Sequence, residues 1–299
     1  MPVDLVISRL SDACGVVVEG VDAALPLDES VRRALYGLYL EHGLLLMRGQ
    51  RLAPEQHIAL SRIFGDLDPH PSERVRLPGF PEIYEVSYHS AGAPEGSDEV
   101  IGQIPWHSDL TYTVRPSRGG LLYAREVPEE GGDTGFIDTA AAYDRLDETT
   151  KQQIDNLEVR NSILQVRQTA FKIDPEDSGR DQDAGSQEEQ APQFPEVILP
   201  LVVTHPQLGR RALNVSPSFT RCIVGLSEHE GRALLDRLIA HATCPDFAYI
   251  HSWRVGDLVI WDNWRMMHRA GGYKAKYRRV MHRTTISPDY ELGRVAEPA

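Results

Sequence analysis

The chain has 299 residues, 41% of them hydrophobic and 25% charged, the balance of an ordinary globular protein able to bury a sizeable core. Its formal net charge of −13 opposes binding to nucleic acid and to anionic membrane surfaces, so any anionic ligand must be drawn in locally by a few arginines. Cys14, Cys222 and Cys244 are odd in number and widely spaced, and no apolar stretch approaches a bilayer span; both features suggest a cytoplasmic protein without a disulfide framework.

Residues 3–22 alternate short apolar runs with Gly15, Gly20 and Asp22, the pattern of a hairpin or edge strands. Asp28 is placed to cap a helix with Val31, Leu35 and Leu38 on one side, and Gly43 to end it. The continuous apolar run Leu44–Met47 predicts a buried strand. Pro54 opens a second helix that stops at Gly65, with Leu60 and Phe64 an i,i+4 pair. Prolines keep 66–71 out of a helix, and 72–103 reads as loop with one strand near 82–86. A buried strand is expected at 120–124, then a turn at 129–134, a strand at 135–137 and a helix over 139–157. Between Asp174 and Glu189, seven acids stand against one base, Arg180, without a large apolar residue. Residues 166–196 are therefore expected to form a solvated surface loop, or a lid that orders when substrate binds. Strands are expected at 197–203, 211–215, 248–253, 257–261 and 279–286, and Ser227-Glu228-His229-Glu230 is a capping box opening a helix over 228–241. The whole fits one domain over 1–299, mostly β with peripheral helices (α+β), a β-sandwich or jelly roll.

One stretch carries chemistry. His107 and Asp109 are separated by one residue, so on an extended segment both side chains leave the same face and can grip one ion. One more imidazole completes a 2-His-1-carboxylate set, which leaves positions of a ferrous ion open for reactants. Alone, H-x-D is a weak signal in a chain with 11 histidines. Its weight comes from what stands at fixed distances from it.

Trp106-His107-Ser108-Asp109, then Gly131-Gly132-Asp133-Thr134, then Gly256-Asp257-Leu258-Val259-Ile260-Trp261-Asp262-Asn263 leading to His268, then Arg279-Val280-Met281-His282-Arg283, resemble the taurine dioxygenase family. The resemblance runs from about Leu44 to Ile286. It implies a double-stranded β-helix (jelly roll) and an Fe(II)- and 2-oxoglutarate-dependent dioxygenase that uses O2 and releases succinate and CO2. It further implies that His107, Asp109 and His268 hold the iron and that Thr134 and Arg279 bind the distal carboxylate of 2-oxoglutarate. A planar guanidinium beside a hydroxyl suits that task physically. Arg283, four residues on along a strand, shares a face with Arg279, and the resemblance gives it the anionic group of the substrate, assisted by His70. Phe219 and Trp106 are expected to line the substrate pocket, with Asp262 and Asn263 shaping the turn that aims His268. Gln103 and Glu73 stand where the taurine enzyme has asparagine and tyrosine; they alter the pocket rim and argue against taurine itself. The carboxylate at 109 points to hydroxylation rather than halogenation. The expected substrate is a small organic acid: a sulfonate, alkyl sulfate or aryloxyalkanoate, hydroxylated and thereby cleaved. The alternatives are a hydroxylase or desaturase of an amino-acid-like acid in specialised metabolism, or a non-catalytic metal-binding jelly roll. The resemblance also implies a homo-oligomer, dimer or tetramer.

Overall fold

The computed structural model describes residues 5–87, 97–163 and 194–297. The expected loop or lid at 166–196 therefore lies outside the described residues apart from 194–196.

Leu44–Met47 shows how the layers arise. All four side chains are fully buried, because their strand is covered on both faces. Leu45 and Met47 join Leu121, Tyr123, Leu258 and Ile260 beneath the helices Glu29–His42 and Pro54–Ser61. Leu44 and Leu46 point the other way, meeting Leu122, Val259, Trp261, Met281, Phe136 and Met266. The strand belongs to a nine-stranded sheet, in which Leu44–Met47, Leu258–Asp262, Gly119–Glu126, Val280–Ile286 and Phe80–Val86 lie side by side, all antiparallel. Facing it is a four-stranded sheet, with the order Ala248–His251, Thr134–Asp138, Met266–Lys274, Val100–His107. The antiparallel strands of the larger sheet, which carries one parallel pair where Val16–Glu19 lies beside Leu44–Met47, close with the smaller sheet over a shared apolar interior and make a jelly roll. On the outer side of the four-stranded sheet, Ile137 and Met267 pack against Leu199, Leu213, Ile223 and the helix Glu228–Ala242.

The first helix is anchored by Val31, Leu35 and Tyr39, and Gly43 ends it in the left-handed region, its N–H bonding the Tyr39 carbonyl at 2.9 Å. Burying a side chain such as Leu35 contributes about 2 kcal/mol. Arg265 ties this end to the rest of the molecule, reaching the carbonyls of Leu40 and Glu41 while donating to Asp138 at 2.8 Å. Among the described residues, no helix is long and apolar enough to cross a membrane.

Several expected elements are cut or were not foreseen. The helix over 139–157 is two helices, Thr139–Asp144 and Glu148–Ile154, because the Asp147 side chain accepts the Thr150 N–H at 2.8 Å and starts the second one afresh. The strand over 197–203 breaks after Pro200. Leu201 donates to the Leu157 carbonyl at 2.8 Å, and Val202–Thr204 then pairs with Arg211–Leu213 in a separate ribbon. The largest omission is the nine-residue strand Met266–Lys274, since the spacing around Gly271-Gly272 does not alternate.

Candidate active site and metal centre

Sheet register brings the two histidines together. His268 lies in the middle of the four-stranded sheet, directly opposite His107 on one neighbour and Phe136 on the other. The imidazole centroids are 4.2 Å apart, and Trp261 reaches the His268 ring from the facing sheet, 5.1 Å away. The His107 Nδ1 lies 2.8 Å from the Pro105 carbonyl, an oxygen that can only accept. That bond places the proton on Nδ1 and leaves the Nε2 lone pair facing inward.

Asp109 arrives by another route. The strand ends at His107, so the expected extended H-x-D geometry does not occur, and the carboxylate sits on the turn that follows. Leu110 takes a φ of 56°, a left-handed conformation that costs a leucine roughly 1 kcal/mol. Asn263 supports the turn with three hydrogen bonds. Its Oδ1 accepts the Asp109 N–H at 2.8 Å, and its Nδ2 donates to the carbonyls of Asp109 at 3.0 Å and Ser117 at 2.9 Å. The expectation that Asp262 and Asn263 aim His268 is thus redrawn. Asn263 holds Asp109, while Asp262 accepts from the Trp264 N–H at 3.1 Å and lies 2.9 Å from His205 Nε2.

Asp109 Oδ1 lies 3.8 Å from His107 Nε2 and 3.7 Å from His268 Nε2. The three donor atoms fall within 4.8 Å of one another, and all three residues are buried, 7 to 9% exposed. Burial lowers the pKa of both imidazoles, most strongly at His268, which keeps them neutral and able to ligate. Burial alone would raise the Asp109 carboxyl, but the permanently charged Arg283 guanidinium beside it holds it well below the usual carboxylate range. An anionic oxygen and two neutral imidazole nitrogens facing one point form the donor set of a divalent transition metal, so the residues present fit such an ion.

Arg283 donates to the other carboxylate oxygen, Oδ2, at 2.5 Å. Its guanidinium lies 4.9 Å from the Trp261 ring centroid and 5.7 Å from that of Tyr84. Tyr84 is the cross-strand partner of Arg283 and packs on His70 at 4.6 Å, so His70, Tyr84, Arg283 and Asp109 form one contiguous group. Phe219 stands edge-on to His107 at 6.0 Å, with Tyr112 against it at 4.9 Å and Phe194 beyond at 5.3 Å. Tyr84 and Tyr112 were missed in the sequence. For Tyr84 the signal was present, since it sits in an expected strand, but its register to Arg283 was not.

Thr134 is buried, at the head of the Thr134–Asp138 strand, and its Oγ1 accepts the Trp253 indole N–H at 2.9 Å. Arg279 is buried too. It runs beside the turn that leads to Thr134, where a Cβ on Gly132 would lie 3.3 Å from its Cδ. Two expected pocket residues sit elsewhere. Trp106 is adjacent to His107 on a strand, so its indole leaves by the opposite face, where it packs against the outer cluster beneath the Arg269 guanidinium at 5.2 Å. Gln103 is exposed and donates to the Gly271 carbonyl at 3.3 Å.

The family model described as "Taurine catabolism dioxygenase TauD, TfdA family" matches residues 7–285. The chain is 34% identical over 282 residues to the alpha-ketoglutarate-dependent 2,4-dichlorophenoxyacetate dioxygenase of Cupriavidus pinatubonensis, covering 91% of this chain and 94% of that one. It is 33% identical over 298 residues to the (S)-phenoxypropionate/alpha-ketoglutarate-dioxygenase of Sphingobium herbicidovorans, covering 95% of each. Among solved structures, AAD-2 in complex with Mn(II) and N-oxalylglycine resembles it with a TM-score of 0.77 and 30% identity, over 96% of this chain and 99% of that one.

Proposed function

The chain belongs to the taurine catabolism dioxygenase TauD, TfdA family and is a 2-oxoglutarate-dependent dioxygenase; within that class we propose that it holds Fe(II) on His107, Asp109 and His268 and oxidises an aryloxyalkanoate-type acid. The observation that carries the reading is the convergence of two neutral imidazoles and one carboxylate on a buried point, with Arg283 beside them. Bound there, Fe(II) with O2 supplies oxidative decarboxylation of 2-oxoglutarate to succinate and CO2, coupled to hydroxylation of a substrate C–H. The protein's part is to bind, orient and exclude water. Arg279 and Thr134 anchor the distal carboxylate of 2-oxoglutarate by charge-assisted hydrogen bonds. Arg283 attracts the substrate's anion into a chain of net charge −13.

An aryl acid is favoured over a small alkyl sulfonate by the rings of Phe219, Tyr112 and Tyr84 around Arg283 and the metal ligands. Two relatives are named for aryloxy acids. The rim residues where taurine recognition would lie are engaged elsewhere, Glu73 with Arg76 at 3.2 Å and Gln103 with the Gly271 carbonyl. A hydroxyl placed on the carbon next to the ether oxygen gives a hemiacetal, which fragments to a phenol and an oxoacid. Three free cysteines suit a reducing cytoplasm, and a dimer or tetramer is the assembly to seek by light scattering.

The test is an anaerobic titration with ferrous ion and 2-oxoglutarate, followed by a panel of aryloxy acids, alkyl sulfates and sulfonates and then O2, reading succinate and phenol. Arg279→Ala raises the KM for 2-oxoglutarate, whereas Arg283→Ala raises that for the acid. If the two phenotypes exchange, the division of the arginines is wrong; if only sulfonates are turned over, the aryl reading is.

A further inference from the structure

A threonine hydroxyl has one proton to donate and two lone pairs that accept. At Thr134 the hydrogen bond from the Trp253 indole uses one lone pair, and among the described residues it is the only hydrogen bond this hydroxyl makes. The strand ladder does not require the contact. Thr134 pairs with His251, where the Ala248–His251 strand ends, and Trp253 lies two residues beyond. The indole has supports of its own. It stands edge-on to the His251 ring at 4.4 Å and 90°. His251 Nε2 in turn lies 3.1 Å from Asp257 Oδ2, and its Nδ1 lies 2.8 Å from the Tyr249 hydroxyl. Asp257 is fixed by Arg48 at 2.8 Å and by the Arg254 N–H at 3.0 Å. A chain of four residues from Arg48 to Trp253, buried from Asp257 onward, thus ends on one hydroxyl oxygen.

We propose that Trp253 is a positioning residue for cosubstrate binding. By filling a lone pair of Thr134 Oγ1, it turns the hydroxyl proton outward, to be donated to the distal carboxylate of 2-oxoglutarate beside Arg279. The proposal rests on the reading of Thr134 and Arg279 as that carboxylate's anchor. Trp253 need not touch the ligand. It removes the rotamers in which the hydroxyl would present a lone pair to an anion, and polarises the O–H that remains.

Trp253→Phe keeps the ring and deletes the donor. Calorimetry on Mn(II)-loaded protein compares 2-oxoglutarate with pyruvate, which has the same oxoacid head and no distal carboxylate. Trp253→Phe weakens 2-oxoglutarate about fivefold, the size of one neutral hydrogen bond, leaves pyruvate unchanged, and adds nothing in a Thr134→Val background. In turnover, the loss falls on KM for 2-oxoglutarate rather than on kcat. Equal weakening of both ligands, or a further loss on top of Thr134→Val, assigns Trp253 to packing and overturns the proposal. Intact 2-oxoglutarate binding in Trp253→Phe beside a loss in Thr134→Val also overturns it, while leaving the anchor reading in place. If Thr134→Val and Arg279→Ala both bind 2-oxoglutarate normally, the anchor reading itself falls. In the unmutated protein, the Trp253 indole 15N–H resonance, assigned by through-space contacts to the neighbouring His251 and Thr134 protons, moves with 2-oxoglutarate and not with pyruvate; a resonance still under both overturns the proposal without relying on a variant's fold.

Discussion

His107 and His268 reach their meeting point through backbone, whereas Asp109 reaches it through side chains. The histidines are opposite members of an antiparallel ladder whose next strand also pairs with His268. Shifting either imidazole would mean shifting a register that the buried faces of the sheet fix. Asp109 stands past the end of its strand, on a turn with a left-handed leucine, tied down by Asn263 and by Arg283. A ladder spreads its constraint over many residues. A turn concentrates it in one or two, so point substitutions distinguish the two halves of the site.

The largest contrast comes from the ligand itself. Asp109→Ala abolishes succinate release at saturating 2-oxoglutarate while leaving the strand pairing, read by far-ultraviolet circular dichroism, unchanged; residual turnover above background would break the triad. Asn263→Ala follows, lowering metal affinity about 10- to 100-fold because a group that orients a ligand is lost. It also removes about 2–4 kcal/mol of stability, since buried backbone groups of Asp109 and Ser117 lose their partner. Metal affinity left intact would mean that the turn holds Asp109 without it. Trp106→Ala is smaller and of another kind. Unfolding in urea shows a loss of roughly 2 kcal/mol for the indole on the outer face, and the KM for the acid substrate stays within about twofold; a large rise in KM would return Trp106 to the pocket.

The smallest effect isolates burial from chemistry. His57, in the helix-side layer, is 1% exposed, and desolvation lowers its pKa to about 3. The unfolded chain takes up a proton below about pH 6.5, whereas folded His57 does so only near its lowered value. Stability is therefore lost as pH falls from about 6.5 toward 3, by at most about 1.4 kcal/mol per pH unit. His57→Leu removes that share of the slope in denaturant titrations at pH 7 and 5.5, with turnover at pH 7 preserved. An unaltered slope would show that folded His57 takes up its proton over the same pH range as the unfolded chain.

Local pattern revealed what local physics decides. The run Leu44–Met47 announced a strand covered on both faces, and alternation along 279–286 put Arg279, Met281 and Arg283 on one side, where Met281 lies in the interior and Arg283 reaches Asp109. The same alternation, applied to the adjacent pair Trp106 and His107, would have sent the indole away from the metal site; the family resemblance drew it in instead. The His268 strand was hidden because Gly271-Gly272 interrupts any two-residue period. Long-range pairings left no trace in the letters. Asn263 and Asp109 are 154 residues apart, as the bond between them records, and neither residue's neighbours encode the other. Asp147 could have been read as a helix start inside 139–157, since a side chain that accepts an N–H three residues on favours a cap over a helix interior.

The left-handed turn at Leu110 also makes the carboxylate the exchangeable part of the centre. Replacing residue 109 breaks no ladder pair, although it leaves Arg283 without the carboxylate it donates to, so the charge and denticity of the proposed metal set can change by one codon while sheet register keeps the two imidazoles in place. The scaffold thereby separates inheritance of the fold from variation of the chemistry, and confines that variation to a single bend in the backbone.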